Sequence, residues 1–243
     1  MKLGILIPAT SKGRNWNSYK ESYLFQNTLK SFLITYNQEY TYVFYIGIDR
    51  EDPIYDNENN KNEFNRFVSI MKNVSIQFIY MDNIPKGHLT VMWNVLFKKA
   101  YDENCDYFFQ CGDDIEYKTK NWVKDCIEIL QKNNNIGLTG PINNNARLLT
   151  QSFVSRNHMI MFNYYFPPEI INWFCDDWIN EVYRCIGRFF PLKQHLCINM
   201  GGEPRYTINN QSYNNEKEFM DNHNNMRQLC TSLVQRDLNK LKK

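Results

Sequence analysis

Four short apolar runs alternate with stretches that carry apolar residues at helical spacing, and no other feature of the first half of the chain restricts its fold so much. The runs are Lys2–Pro8, 42–48, Val74–Tyr80 and the aromatic Tyr107, Phe108 and Phe109. Each is largely apolar, the pattern of strands in a parallel sheet covered on both faces. Between the first two, residues 18–36 place Tyr23, Leu24, Leu29, Phe32 and Leu33 on one face. Ser18 and Glu21 stand at capping-box spacing before that face and predict a helix start. Phe64, Phe67, Val68 and Met71 mark a second, shorter helix, and Val91, Met92, Val95, Leu96 and Ala100 a third over 89–101. Strands and helices alternating at these lengths build a parallel sheet through right-handed crossovers, with helices on both faces. The expected class is therefore α/β, Rossmann-like, with a mixed, mainly parallel central sheet.

The texture changes after residue 116. Trp122, Val123, Cys126, Ile127 and Leu130 predict an amphipathic helix over 121–131. Residues 136–139 predict a short strand stopped by Gly140 and Pro141, and 151–166 one or two strands of a mixed sheet. A helix opens at Asp176 and Asp177, and 189–197 predicts a last strand. The charged, Asn-rich residues 211–243 predict a helical extension packed on the outside and dispensable for chemistry. The domain reading is thus 1–210, made of halves 1–115 and 116–210, followed by that extension.

Composition removes several classes of function. A formal charge of +2 over 243 residues offers no field for nucleic acid. No apolar run approaches the roughly 18 residues of a membrane span, and residues 4–7 are too short for a signal segment. Seven cysteines without C-x-x-C spacing read as reduced thiols, and the expected compartment is cytoplasmic. Neither G-x-G-x-x-G nor G-x-x-x-x-G-K-[ST] occurs, so a dinucleotide site and a P-loop have no support.

The polar residues fall at strand tips. The fourth run ends in Gly112, Asp113 and Asp114, with Glu116 two residues on. Unpaired carboxylates are costly inside a core. Beyond the carboxyl end of a parallel strand they face the crevice where α/β sheets bind ligands. Hard oxygen ligands of this kind suit a divalent cation, although Gly and Asp also build ordinary turns. The second run ends in Asp49, and the loop after the first carries Thr10, Lys12 and Arg14. Lys86 precedes the third helix. Farther on, Asp176 and Asp177 open a helix between Trp173 and Trp178. One acid suffices to cap free N–H groups there, and the second is surplus to that task.

Gly-Asp-Asp-Ile-Glu after the fourth strand resembles the D-x-D region of GT-A glycosyltransferases, and Asp176-Asp177-Trp178 resembles their later Asp-Asp-Trp. Over about residues 1–206 the chain is similar to inverting, family-2-like enzymes such as N-acetylglucosaminyltransferase I and to small glycosyltransferases of large DNA viruses. The resemblance implies transfer of a hexosyl or deoxyhexosyl group from a nucleotide-diphosphate sugar, a UDP-sugar, to a glycan, glycoprotein or glycolipid hydroxyl. It implies Mn²⁺ or Mg²⁺ bound by Asp114, a base at Asp177 with Asp176 beside it, and nucleotide-sugar contacts from Thr10, Arg14, Asp49, Lys86 and Asp113. Trp173 and Trp178 would wall the sugar and acceptor site, and His195 would be a further metal or pyrophosphate contact. Gly112 departs from the pattern, since the motif usually has an acid there. A nucleotidyltransferase would want a Gly-rich, basic first loop, and 8–16 holds one glycine. An inactive carbohydrate-binding protein on the same fold would look alike in sequence, whereas a metal-dependent nuclease would need a basic surface.

Overall fold

The structure is a computed structural model describing residues 1–143, 147–201 and 212–241. The four predicted strands form: β1 (Lys2–Pro8), β2 (Thr41–Ile48), β3 (Val74–Tyr80) and β4 (Tyr107–Gln110). They lie side by side in parallel, with β1 between β2 and β4 and β3 outside β2. Four shorter or later strands extend the sheet: β5 (Ile115–Tyr117), β6 (Leu138–Ile142), β7 (Ser152–Ser155) and β8 (Phe189–Asn199). The eight-stranded order is β3-β2-β1-β4-β7-β6-β8-β5. β7 runs antiparallel to both β4 and β6, β8 parallel to β6, and β5 antiparallel to β8. The result is a mixed, mostly parallel sheet whose parallel half carries the nucleotide-type crossovers.

Successive strand residues point to opposite faces, and β1 divides itself accordingly. Leu3, Ile5 and Ile7 enter a first core with Phe44, Ile46, Phe32, Phe64 and Trp122. Leu6 enters a second core with Val43, Tyr45, Leu96 and Phe97. The first is covered by α1 (Lys30–Thr35), α2 (Glu58–Val68) and α4 (Trp122–Lys132). The second is covered by α3 (Leu89–Asp102), α5 (Asn157–Phe162), α6 (Cys175–Cys185) and α7 (Glu216–Leu238).

Three local expectations are corrected. The helix read over 18–36 begins as a 3-10 turn, Tyr19–Glu21, and continues as a π-helical turn, Leu24–Leu29, before α1. Ser18 makes no side-chain cap bond, and the segment is instead pinned to the sheet. Thr28 Oγ1 donates to the carbonyl of Asp113 at 2.9 Å, and Ser31 Oγ accepts from the Tyr117 N–H at 3.0 Å. Wound-out turns of this kind recur at functional sites, and this one holds the β4–β5 turn from below. β6 passes through Gly140 and Pro141 rather than stopping at them, because the pairing with β8 shifts register between Pro141 and Ile142 and tolerates the missing N–H. Residues 157–162, read as strand, form α5. Its His158 is buried between the Tyr183 hydroxyl, 2.8 Å away, and the Tyr165 carbonyl, 3.0 Å away.

α7 forms within the extension read over 211–243, and its inner face packs into the second core. Cys230, Leu233 and Val234 are buried in the second core, and fully burying a side chain of Leu or Val size contributes about 1.5–3 kcal/mol. Asp237, with no exposed surface, accepts from Tyr164 Oη at 2.7 Å, Arg236 Nε at 3.0 Å and Lys240 Nζ at 2.8 Å. Burial alone would raise its pKa. The hydrogen bonds from Arg236, Lys240 and Tyr164 outweigh it, and the carboxyl lies below its ordinary value.

Candidate active site

A cleft of about 1130 Å³ opens beyond the carboxyl ends of the parallel strands. One wall is built from strand tips: Thr10 after β1, Asp49 after β2, Lys86 after β3, and Gly112 and Asp114 after β4. The other comes from Arg147, Trp173, Asp176 and Asp177, from Glu181 and Arg184 of α6, and from His223, Arg227, Thr231 and Gln235 of α7. The fold thus brings Asp114 into one cavity with Asp176 and Asp177, some sixty residues farther along the sequence.

Asp114 sits between two glycines. A Cβ on Gly112 would come 2.5 Å from Asp114 Oδ1. A Cβ on Gly201 would come 2.7 Å from Asp114 Cγ and 2.9 Å from its Cβ. Gly112, a departure from the D-x-D pattern, is therefore where the Asp114 carboxylate finds room. Asp113 turns the other way. It is fully buried, its Oδ2 3.5 Å from the Tyr55 hydroxyl, and it does not line the cleft.

The N-terminal loop is organised by Asp52, which sequence reading passed over. This buried carboxylate accepts from Ser11 N (2.8 Å), Ser11 Oγ (2.6 Å), Ile54 N (3.0 Å), Tyr55 N (2.9 Å) and Thr10 Oγ1 (3.3 Å). It fixes Thr10 at the cleft edge. The only signal for it was an acid three residues after Asp49, before Pro53. Asp49 and Lys86 both line the cleft and form an ion pair with each other. Arg14 lies outside it, its guanidinium 5.0 Å over the ring of Tyr23.

Phe174, at the N-cap of α6, has φ 72°. A bulky residue in the left-handed region is an uncommon, strained conformation that clusters at functional sites. The turn it makes starts α6 with Asp176 and Asp177 in the cleft. Asn180, buried one turn on, clamps the facing loop: its Nδ2 donates to the Leu149 carbonyl and its Oδ1 accepts from the Leu149 N–H, each at 2.8 Å. That clamp brings Arg147 to 4.0 Å from Asp177, whose side chain is 40% exposed. Asp176 accepts from the Asp177 N–H at 3.1 Å. Its pKa is nonetheless pushed up from 3.8 to about 6, first by burial and then by the charge of Asp177, against the pull of the helix N–H groups. Burial thus outweighs the helix terminus at Asp176.

Helical geometry separates the two tryptophans. Trp178 falls on the same face of α6 as Cys175 and Val182 and is fully buried among Phe162, Tyr164 and His158. It does not wall the cleft, whereas Trp173 does and is 42% exposed. His195 is also elsewhere. Its Nε2 lies 2.8 Å from Asp125 Oδ2 and its Nδ1 3.0 Å from Thr119 Oγ1, tying β8 to α4 away from the cleft.

Among the described residues no three His, Cys, Asp or Glu side chains converge as a metal cage. A hard cation held partly by substrate phosphates needs only one or two protein carboxylates. Asp114, in its glycine-flanked recess, fits that arrangement, while Asp113 and His195 do not reach it.

The strand order, the crossovers and the cleft beyond the strand tips together make the fold that of the GT-A glycosyltransferases. No protein-family model matches the sequence, and no curated protein matches it. Solved structures do. Staphylococcus aureus TarS 1-349 in complex with UDP-GlcNAc superposes with a TM-score of 0.56 at 12% identity, covering 98% of this chain and 66% of that one. The mannosyltransferase PcManGT from Pyrobaculum calidifontis, in complex with GDP-Man and Mn²⁺, gives 0.57 at 9% identity over 85% of this chain and 58% of its own. GalNAc-T7 with UDP, GalNAc and Mn²⁺ gives 0.57 at 10% identity over 82% and 44%. This chain spans less than two thirds of the length of each. No helix among the described residues is long and apolar enough to cross a membrane.

Proposed function

We propose that the protein is a metal-dependent, inverting glycosyltransferase that moves a sugar from a UDP-sugar to a hydroxyl of a glycan acceptor. The observation that carries this reading is the shared cleft, with Asp114 on its strand-tip wall and Asp176–Asp177 on its helix wall. Thr10, Asp49 and Lys86 line the end suited to the nucleotide, and opening the Asp49–Lys86 pair would free a carboxylate and an ammonium for it. Asp114 would hold the Mn²⁺ or Mg²⁺, which when bound supplies Lewis-acid stabilisation of the diphosphate leaving group.

Inversion needs a base opposite the leaving group. Asp177 takes that role, because its half-exposed carboxylate is the one an acceptor can reach, while Asp176 is engaged with the helix N–H. The acceptor oxygen forms a bond to the anomeric carbon as the bond to the diphosphate breaks, and the hydroxyl proton passes to the Asp177 carboxylate. The test is release of nucleoside diphosphate from UDP-GlcNAc, UDP-Glc, UDP-Gal and GDP-Man with Mn²⁺ and with EDTA, followed by NMR of the product anomer. Metal-dependent release and an inverted product are expected. No release from any donor would leave a carbohydrate-binding protein on this fold, and a retained anomer would overturn the mechanism.

A further inference from the structure

We propose that α7 carries the acceptor subsite, with Arg227, Thr231 and Gln235 reading a neutral oligosaccharide that stacks on Trp173. The inference rests on the transferase reading for its role, but not for its binding chemistry. The three residues stand four apart, on one face of the helix, and all line the cleft. The adjoining face is fastened by Cys230, Leu233 and Val234 in the core, Cys230 and Val234 also reaching the cleft floor, and by the buried Asp237 contacts at its end. His223, one more step along the stripe, packs its ring 4.9 Å from the Phe174 ring, at the turn that opens α6. The stripe is thus a fixed wall rather than a loose arm.

Four helical residues rise about 6 Å, so Arg227 to Gln235 spans about 12 Å, longer than one pyranose ring. Arg227 and Gln235 offer guanidinium and amide donors and an amide acceptor, and the Thr231 hydroxyl, which donates to the Arg227 carbonyl at 2.9 Å, offers its lone pairs to sugar hydroxyls. The exposed indole of Trp173 supplies a flat apolar face, four residues before the base Asp177. The charges on the facing α6 wall are largely matched: Arg184 pairs with Glu181 at 2.9 Å, and Arg147 stands 4.0 Å from Asp177. Arg227 then adds a single cation, which suits a polyhydroxyl ligand better than a polyanion.

The experiment is saturation-transfer NMR and tryptophan fluorescence on the whole protein with chito-, cello-, malto- and mannotetraose. It compares wild type, Trp173→Ala and the triple variant Arg227→Ala/Thr231→Ala/Gln235→Ala. The three α7 side chains are exposed, and unchanged melting and unchanged binding of UDP with Mn²⁺ confirm that the variants keep fold and donor site. At least one tetrasaccharide is expected to bind the wild type and to bind the triple variant about 10-fold or more weakly, the effect of losing three modest hydrogen bonds. Equal binding by the triple variant overturns the proposal. So does the absence of binding across the panel, or tighter binding of a sulfated analogue than of its neutral parent. Failure of the transferase reading would appear separately, as no nucleoside diphosphate release by the wild type.

Discussion

Asp176→Asn is expected to make the protein more stable above pH 6 and less active. In the folded chain the Asp176 pKa rises from 3.8 to about 6, by burial and then by the charge of Asp177. Between these values the folded state holds a proton that the unfolded state has released. Stability therefore falls as pH rises through about 4 to 6 and stays lower above that window. The gap, 6 less 3.8 or about 2, corresponds at 1.36 kcal/mol per pH unit to about 3 kcal/mol. Partial solvent access brings the expected gain for Asn to about 1–3 kcal/mol at pH 8. Asparagine is isosteric and still accepts the Asp177 N–H, so the substitution removes the charge and little else.

Urea unfolding of both proteins at pH 4 and pH 8 measures it. The variant should show a higher midpoint at pH 8, an unchanged slope, and no advantage at pH 4. An equal difference at the two pH values, or a less stable variant at pH 8, would refute the electrostatic reasoning. The Asp177→Asn background supplies an internal control. Without the neighbouring charge the Asp176 carboxyl should ionise more readily, and the gain from Asp176→Asn should shrink, giving a measurable coupling in a double-mutant cycle.

Three further outcomes are expected. Asp114→Ala should abolish Mn²⁺-dependent binding of UDP by calorimetry with melting unchanged, and Gly201→Ala should weaken it about 10-fold or more, because the new Cβ would lie 2.9 Å from Asp114 Cβ. Asp177→Asn should keep donor KM and lose transfer by about 10²–10⁴-fold, with Asp176→Asn losing less, and wild-type kcat should fall as pH drops through about 6, when Asp176 takes up its proton; inactivity of Asp176→Asn alone would exchange the two roles. Asp237→Asn should cost about 1–3 kcal/mol by weakening the hydrogen bonds from Tyr164, Arg236 and Lys240, and the stability that Asp237 contributes in the wild type should be present above about pH 4 and be lost as pH falls through its depressed folded value.

The parallel half of the fold was legible because β1, β2 and β4 are buried on both faces, so that apolar run and strand coincide. Lys2–Pro8 is strand from the first residue of the run to the last and is buried from Leu3 onward. Where burial is one-sided or set by distant partners, the pattern misleads. Residues 157–162 show no alternation that separates helix from strand, and it is the pocket of Tyr183 and Tyr165 around His158 that fixes them as α5. Pro141 reads as a stop and is not one, since the register shift with β8 is invisible without β8. At the site, strand-tip acids could be found because they interrupt apolar runs, and Asp49 and Asp114 reach the cleft, as do Asp176 and Asp177 in the first turn of α6.

What sequence could not supply was direction. Asp113 and Asp114 are adjacent and identical, yet one faces Tyr55 and the other the recess between two glycines. The same holds for Trp173 and Trp178, which the start of α6 places on opposite sides of one wall. Asp52 and the α7 stripe lacked any local contrast. The first is an acid among acids, and the second is every fourth residue of a helix whose apolar positions alone drew notice. In each case the information lies in a long-range contact, Asp52 to Ser11 across the sheet tip or Asp237 to Tyr164 beneath α7. A helix that reads as an appendage therefore becomes a wall of the site, because its buried face takes part in the same core that positions the two aspartates.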